Sequence, residues 1–227
     1  VKKYIHIVHS PAIPLYKLYS LDFFDCVLIN GFHQEEYIRQ LEKIRDEEPK
    51  EIVIVGSSYL DELEIKKQNI NNTDNSYILL SPSWGAEALL SRYGSRLIDK
   101  LMDFNIIIRP HPQSLVSEKD IIKKMQKRYE ANENIEWDFN VDNIYSFSRS
   151  KVMISDFSGV IFDYIFLFEK PVIIPKFKFN KSIYDAAVLE DEIWTFKVLT
   201  KITLQIEEQD FDNMKNIINE SRNNVNI

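Results

Sequence analysis

The sequence predicts an α/β fold with parallel sheets and helices on both faces. Short β-branched runs, such as residues 51–55 and 105–108, alternate with amphipathic or charged helical stretches, such as residues 33–45 and 119–130. Strands and helices that alternate through short links form βαβ units, in which the strands pair in parallel. A chain of 227 residues can hold one large domain or two small ones. We therefore expect two Rossmann-like units.

The composition excludes several classes of protein. The net charge of −7 and the absence of a basic stripe argue against nucleic acid as a partner. Cys26 is the only cysteine, so no internal disulfide can form, and no Cys/His pattern predicts a metal site. The longest apolar run, residues 159–168, contains Asp163 and is too short to span a bilayer. We expect a cytoplasmic protein, without a signal peptide.

The first domain is expected over residues 1–72. Its predicted strands are residues 4–8, 26–29 and 51–55, and its predicted helix is residues 33–45. The chain opens on Val1 inside what already reads as a strand, so we expect a piece of a longer protein whose first domain is incomplete. The run NINNTDNS at residues 69–76 is the most loop-like stretch, and we place the domain boundary there.

The second domain is expected over residues 73–227. Its predicted strands are residues 77–80, 105–108, 134–137, 152–154 and 172–174. Its predicted helices are residues 87–104, 119–130, 141–148, 160–168 and a closing helix at 206–223. In doubly wound sheets, ligands bind at the carboxyl ends of the strands. Five small or titratable residues directly follow predicted strands, which indicates a site: His9, Gly56, Ser83, His111 and Ser155.

The turn between the fourth strand of this domain and its apolar helix is the strongest motif. Its residues are Ser155-Asp156-Phe157-Ser158-Gly159. Small and polar residues here would point backbone N–H groups at one spot, beside the positive end of a helix, which is how many folds bind phosphate. The alternative is an ordinary helix cap that binds nothing.

Four further residues at three places in the chain could carry chemistry. Arg109-Pro110-His111-Pro112 follows a predicted strand, and the two prolines would hold the histidine in a fixed direction beside a guanidinium suited to phosphate; the alternative is a stiff surface turn. His9 could be a general base or could only cap a strand. Asp163 lies inside an apolar helix, where a lone carboxylate needs a partner, either a ribose diol or a neighbouring donor.

Taken in order, these motifs resemble the CDP-glycerol glycerophosphotransferase family, the teichoic-acid primases and polymerases with a GT-B fold. RPHP at residues 109–112 and SDFSGVIFDYIFLFEKPVI at residues 155–173 are similar to that family's R-x-H-P and S-D-Y-S-S-V-x-F-D patterns. ILLSPSW at residues 78–84 looks like its strand and P-T-W segment, and VGSSYL at residues 55–60 falls at its G-Y-P-R-like turn.

The resemblance implies a cytidine diphosphate donor in the second domain and no separate cofactor. Ser155, Ser158 and Gly159 would hold the pyrophosphate. Ser83 and Asp156 are further candidates to bind the donor nucleotide, although Asp156 could instead bond the turn itself. His111 and Arg109 would neutralise it as CMP leaves, and Asp163 would face the ribose. His9 would deprotonate an acceptor hydroxyl on a lipid-linked or polysaccharide acceptor.

The chain also departs from the family pattern. Ser10-Pro11-Ala12 replaces Gly-Thr after the first histidine, Gly85 replaces an arginine, and Gly159 replaces the second serine of the turn. Two alternatives therefore stay open: a UDP-sugar-dependent glycosyltransferase or epimerase, and a non-catalytic nucleotide-binding domain. The resemblance also implies peripheral contact with the inner face of the cell membrane.

Overall fold

The computed structural model describes residues 2–8, 10–12, 19–70, 75–178, 180, 182, 185–189 and 193–221. The chain divides into two compact units. The first contains Val1–Glu62 and Lys178–Lys201, and the second contains Leu63–Phe177 and Ile202–Ile227. Within the described ranges, no helix is long and apolar enough to cross a membrane.

A three-stranded parallel sheet forms the centre of the first unit. Its strands are β1 (Ile5–Ile7), β2 (Cys26–Ile29) and β3 (Glu51–Ile54), in the order β1-β2-β3. The connection from β2 to β3 is helix α1 (Phe32–Arg45), which makes the expected βαβ unit.

Helix α1 covers one face of this sheet. Its buried residues Tyr37, Ile38 and Leu41 pack with Val27 and Ile29 of β2 in the core of the unit. These three helical positions are spaced by one, three and four residues, which brings them onto one face of the helix. The apolar periodicity of the helix therefore determines which side of α1 faces the sheet.

A six-stranded parallel sheet forms the centre of the second unit. Its strand order is β6-β5-β4-β7-β8-β9, and every neighbouring pair is parallel. The strands are β4 (Tyr77–Leu80), β5 (Asn105–Ile108), β6 (Ile135–Trp137), β7 (Ser150–Ile154), β8 (Val172–Pro175) and β9 (Leu204–Ile206). This is the doubly wound order, in which the chain leaves the two central strands in opposite directions. The predicted parallel α/β fold is confirmed.

The helices of the chain, besides α1, are short. They are α2 (Ser58–Gln68), α3 (Leu89–Arg92), α4 (Gly94–Asp99), α5 (Ser114–Ser117), α6 (Lys119–Arg128), α7 (Ile144–Arg149), α8 (Val160–Phe168), α9 (Trp194–Ile202) and α10 (Met214–Ser221). Two 3₁₀ turns, Asp185–Val188 and Glu208–Asn213, complete the described elements. Helices α3, α4 and α10 pack on the six-stranded sheet in one continuous apolar core.

Two predicted helices are wrong in part. The single helix expected over residues 87–104 is broken into α3 and α4 at Tyr93 and Gly94, where Gly94 has a φ of 33°. The closing helix was expected to begin at Ile206, but Ile206 ends strand β9, whose register pairs it with Pro175. Helices α2 and α9 were not predicted.

The predicted domain boundary between residues 72 and 73 lies outside the described residues and stays a prediction. The two compact units differ from the predicted domains in two respects. The second unit begins at Leu63 instead of residue 73, and Lys178–Lys201 belongs to the first unit, although it follows the second sheet's strand β8 in the chain. Helix α2 spans the point at which the first unit ends at Glu62 and the second begins at Leu63.

Lys170 ties the end of helix α7 to the end of helix α8. Its Nζ donates hydrogen bonds to the carbonyl oxygens of Phe147, Ser148 and Ser150, at 2.8, 3.1 and 2.6 Å. The last carbonyl groups of a helix have no partner within the helix, so a cation at this position satisfies them. The sequence reading had treated this lysine only as part of a family motif.

We expect Lys170→Met to lower the free energy of unfolding by about 1–3 kcal/mol, because the variant keeps the apolar stem but leaves three carbonyl groups without their donor. Urea unfolding at pH 7 measures the change. Lys123→Met, at an exposed position of α6, is the matched control and should change stability by less than about 0.5 kcal/mol. Equal effects of the two substitutions would contradict this role of Lys170.

Candidate functional site

The candidate site lies in the second unit, at the carboxyl ends of the central strands β4 and β7. These strands are neighbours, and the chain continues from β4 to β5 on one side and from β7 to β8 on the other. The loops that follow them therefore diverge and leave a crevice, the usual ligand site of doubly wound sheets. Ser81-Pro82-Ser83 follows β4, and Ser155-Asp156 follows β7.

Backbone and side-chain hydrogen bonds fasten these two strand ends together. The N–H of Ser81 donates to the carbonyl of Ile154 at 3.1 Å, which extends the β4–β7 pairing by one residue. The hydroxyl of Ser155 donates to the carbonyl of Ser81 at 2.6 Å. Ser155 is fully buried. Its hydroxyl therefore joins the residues that follow β4 and β7 at the base of the crevice.

Asp156 supplies the second part of this connection. One carboxylate oxygen accepts the N–H groups of Ser83 at 2.9 Å and Phe157 at 2.7 Å, and the other accepts the N–H of Leu89 at 2.7 Å. Leu89 is the first residue of α3, so Asp156 caps a helix that lies 67 residues away in the chain. We call Ser81, Ser83, Ser155 and Asp156 the switch-point clasp.

The environment of Asp156 sets the protonation of its carboxyl group. Burial raises the pKa of Asp156 to about 6, although the N–H groups of Leu89, Ser83, Phe157 and Ser158 act in the opposite direction. A buried carboxylate is tolerated when such donors surround it. The carboxylate of Asp156 is bonded to the backbone of its own turn and of the loop after β4, and its contact with a donor stays a prediction.

The hydroxyl groups of Ser83 and Ser158 remain available in the crevice. Within the part of the chain that the structure describes, neither hydroxyl makes a hydrogen bond, although both residues are more than nine-tenths buried. Ser158 and Gly159 directly precede α8, whose first N–H groups have no partner within the helix. Two hydroxyls and the positive end of a nine-residue helix therefore meet at the switch point, the crevice between the carboxyl ends of β4 and β7.

Asp163 lies one helical turn further along α8. Its side chain is only 7% exposed and makes no hydrogen bond or ion pair with any described residue. Burial raises its pKa to about 7. Side chains of a helix lean towards its amino end, so the carboxyl group of Asp163 leans towards Gly159 and the turn before the helix. A buried carboxyl group with no protein partner is the feature of the site that most directly indicates a ligand.

His111 follows β5, the strand next to β4, and its ring is held in one tautomer. The N–H of Gln113 donates to Nδ1 at 3.1 Å, so the neutral ring carries its hydrogen on Nε2. Burial lowers the pKa of His111, and the carboxylate of Glu118 partly offsets this effect. Near pH 7 the ring is therefore mainly neutral and can donate a hydrogen bond from Nε2.

Arg109 was predicted to bind phosphate, but its guanidinium contacts the protein. One nitrogen donates to Asp138 at 2.6 Å, and another donates to the carbonyl of Val141 at 3.0 Å. Asp138 also accepts hydrogen bonds from Ser146 and Asn140. Burial alone would raise the pKa of Asp138, but these donors and Arg109 lower it. Arg109 thus joins the loops after β5 and β6, and its contact with a donor stays a prediction.

The loop after β4 also carries Trp84 and Gly85. Trp84 is 40% exposed, and its ring centroid lies 6.3 Å from that of His111. Gly85 has a φ of 98°, which side-chain-bearing residues rarely adopt. The arginine that the family resemblance implies at this position is therefore replaced by a residue whose backbone conformation disfavours any side chain.

His9 lies outside the described residues, so its catalytic role stays a prediction. The residues after it are held firmly: the side-chain amide of Gln34 donates to the carbonyls of Ser10, Pro11 and Ala12, at 2.8, 3.3 and 3.4 Å. His33 Nε2 lies 2.7 Å from the same Pro11 carbonyl. The sequence reading gave His33 no role and did not single out Gln34.

The strand order and the crevice define a doubly wound α/β protein of the GT-B type. The family model of CDP-glycerol:poly(glycerophosphate) glycerophosphotransferases matches residues 49–188, which is more than half of the chain. The chain therefore belongs to this family, as the resemblance of its motifs implied. The comparison with curated protein sequences gave no match.

The solved structures of the wall teichoic acid polymerase TagF share this fold. The wall teichoic acid polymerase TagF matches with a TM-score of 0.52 and 17% identity, over 99% of this chain and 62% of that one. A single-substitution variant of TagF matches with a TM-score of 0.51, 17% identity and the same coverage. Anabaena Alr3699/HepE in complex with UDP and glucose matches with a TM-score of 0.49 and 13% identity, over 95% and 60% of the two chains. The present chain spans about three fifths of the length of TagF.

The first prediction from the site concerns the clasp. We expect Asp156→Ala to lower the free energy of unfolding by about 2–4 kcal/mol, because three buried N–H groups lose their acceptor. Urea unfolding at pH 7 measures this loss. Asp120→Ala, at an exposed position of α6, should cost less than about 1 kcal/mol. A loss no larger than that of the control would show that the clasp does not stabilise the unit.

The second prediction concerns the unpartnered carboxyl group of Asp163. Its pKa is raised in the folded protein, so the folded state binds more protons between pH 4 and 7, and stability falls as the pH rises through this range. Between pH 5 and 8 this loss is about 2.5 kcal/mol. We expect Asp163→Asn to remove this loss, so that the variant gains stability relative to the wild type as the pH rises. Stability curves of the two proteins that run parallel from pH 5 to 8 would contradict a raised pKa of Asp163 in the folded protein.

Proposed function

We propose that the protein transfers a glycerol-phosphate or related group from a CDP-activated donor to a hydroxyl group of a cell-surface polymer or lipid-linked acceptor. The observation that carries this proposal is the buried, unpartnered Asp163 behind the amino end of α8 at the switch point. The crevice lies inside the 49–188 span that matches the glycerophosphotransferase family, which supports this choice among nucleotide-dependent reactions.

The donor pyrophosphate would bind at the amino end of α8. The N–H groups of Gly159 and the first residues of α8, together with the hydroxyls of Ser158 and Ser83, provide donors for phosphate oxygens without a fixed cation. Ser155 and Asp156 would act indirectly. Their side chains would position Ser83 and the turn and would not contact the ligand. Asp163 would accept a hydrogen bond from a ribose hydroxyl.

His111 would stabilise the leaving group. In the transfer, the acceptor oxygen attacks the β-phosphorus, the bond between this phosphorus and the bridging oxygen breaks, and CMP leaves with the electron pair. Nε2–H of His111 can donate to the oxygen on which charge develops, and such preorganised donors supply much of the catalysis in phosphoryl transfer. The tautomer set by Gln113 puts the hydrogen on the nitrogen that this role needs.

The acceptor side belongs to the first unit. On the family resemblance, His9 would take the proton of the acceptor hydroxyl as a general base. Gln34 and His33 support this proposal because they fix the backbone of Ser10–Ala12 next to it. The reaction would take place in the cytoplasm, with peripheral contact at the inner face of the membrane that holds a lipid-linked acceptor.

The proposal is tested with a matched pair of histidine variants. We expect His111→Asn to lower the rate of CMP release from CDP-glycerol by about 10²–10³-fold, as is usual for the loss of one transition-state donor. His111→Gln places an amide N–H near the former Nε2 position and should recover part of this rate. The measurement is CMP release from CDP-glycerol with a lipid-linked glycerol-phosphate acceptor.

Ser117→Ala, at an exposed position of α5 in the same loop, is the control and should release CMP at the wild-type rate. Wild-type rates in both His111 variants would remove His111 from the mechanism. Turnover of UDP-linked donors alone would favour a glycosyltransferase or epimerase. Cytidine nucleotide binding without turnover in the wild type would favour a non-catalytic nucleotide-binding domain.

A further inference from the structure

Trp84 is a large apolar side chain at the mouth of the candidate site. It follows Ser83 at the carboxyl end of β4, and 40% of its surface is exposed. Ser83 is held in place by Asp156, so the backbone that carries the indole is fixed at the switch point. An exposed tryptophan on a fixed backbone beside a crevice is suited to contact a ligand.

The other two tryptophans have stacking partners within the protein. Trp137 stacks on Phe139, and Trp194 stacks on His33, with ring centroids 6.1 and 3.9 Å apart. For Trp84, the only ring contact within the described part of the chain is the tilted one with His111. Neither ring of this pair stacks on the other, because the planes meet at 35° and the centroids are 6.3 Å apart.

The space beside Trp84 is open on the side of the next residue. A Cβ atom added to Gly85 would meet no heavy atom within 4 Å. The indole and the His111 ring therefore form a shallow aromatic wall, with open space next to it and the donors of α8 and Ser83 at the same edge of the sheet.

We propose that Trp84 is the surface on which the base of the donor nucleotide stacks, while His111 lies at its phosphates. This inference rests on the proposed function and names the part of the donor that each ring contacts. A base has two polarisable faces and loses water from one of them when it stacks on an indole. Base–aromatic stacking is tolerant of base identity, so Trp84 would recognise a nucleotide without selecting cytosine over uracil.

The experiment compares two probes by calorimetry on the full chain. CMP contains base, ribose and phosphate, whereas inorganic pyrophosphate contains only the charged part. We expect Trp84→Ala to weaken CMP binding about tenfold or more, the usual effect of removing a stacking partner, and to leave pyrophosphate binding within about twofold. Trp84→Phe keeps an aromatic face and should bind CMP within about threefold of the wild type.

Phe139→Ala is the matched control, because Phe139 is 45% exposed and follows β6, two strands away from β4 in the sheet. It should bind both probes as the wild type does. Equal CMP binding by the wild type and Trp84→Ala would overturn the stacking role alone and leave the donor site intact. Loss of both probes in Trp84→Ala would also overturn it, since the indole would then support the fold. Absence of CMP binding in the wild type would overturn the proposed function as well.

Discussion

The hydrogen bonds of the Asp156 carboxylate are the constraint on which the site depends. A carboxylate in the interior is costly unless donors surround it, and here the donors are backbone N–H groups from the ends of two different elements. Because Ser83 follows β4 and Leu89 begins α3, one side chain fixes the exit of a strand and the entry of a helix. The N–H of Phe157 closes the turn before α8 on the same carboxylate, so the two sides of the crevice share one anchor.

The motif residues therefore divide into those that build the crevice and those left free within it. The side chains of Ser155, Asp156 and Arg109 make hydrogen bonds within the protein. Those of Ser83, Ser158 and Asp163 make none with the described residues. This division explains why a turn rich in small polar residues can bind a ligand and also hold two strands together. The residues that build the crevice have hydrogen-bond partners within the protein. The buried residues left free need a partner from outside it.

The sequence predicted eight of the nine described strands and the order of the motifs, because short β-branched runs and strand-end residues are local signals. It could not predict that Asp156 joins two other elements, since Leu89 and Ser83 lie 67 and 73 residues away in the chain. The helix over residues 87–104 was overextended because its apolar periodicity continues through Gly94, where the backbone turns. The start of the closing helix was misplaced because Ile206 is equally suited to a buried strand. Gln34 gave no signal, since its function lies in contacts with a distant loop.

The electrostatics of the crevice fit a site that must bind a charged donor and then release a charged product. Arg109, the cation closest in sequence to His111, is paired with Asp138, and His111 itself is mainly neutral near pH 7. In the proposed reaction, attraction for phosphate would then come from dipoles, namely the amino end of α8 and two hydroxyls, which act over a short range. A fixed cation would bind CDP-glycerol and CMP alike, and uniform binding does not speed the chemical step. Donors aimed at the charge that develops on the bridging oxygen favour the transition state instead, so a neutral histidine in a fixed tautomer suits phosphoryl transfer better than a free arginine would.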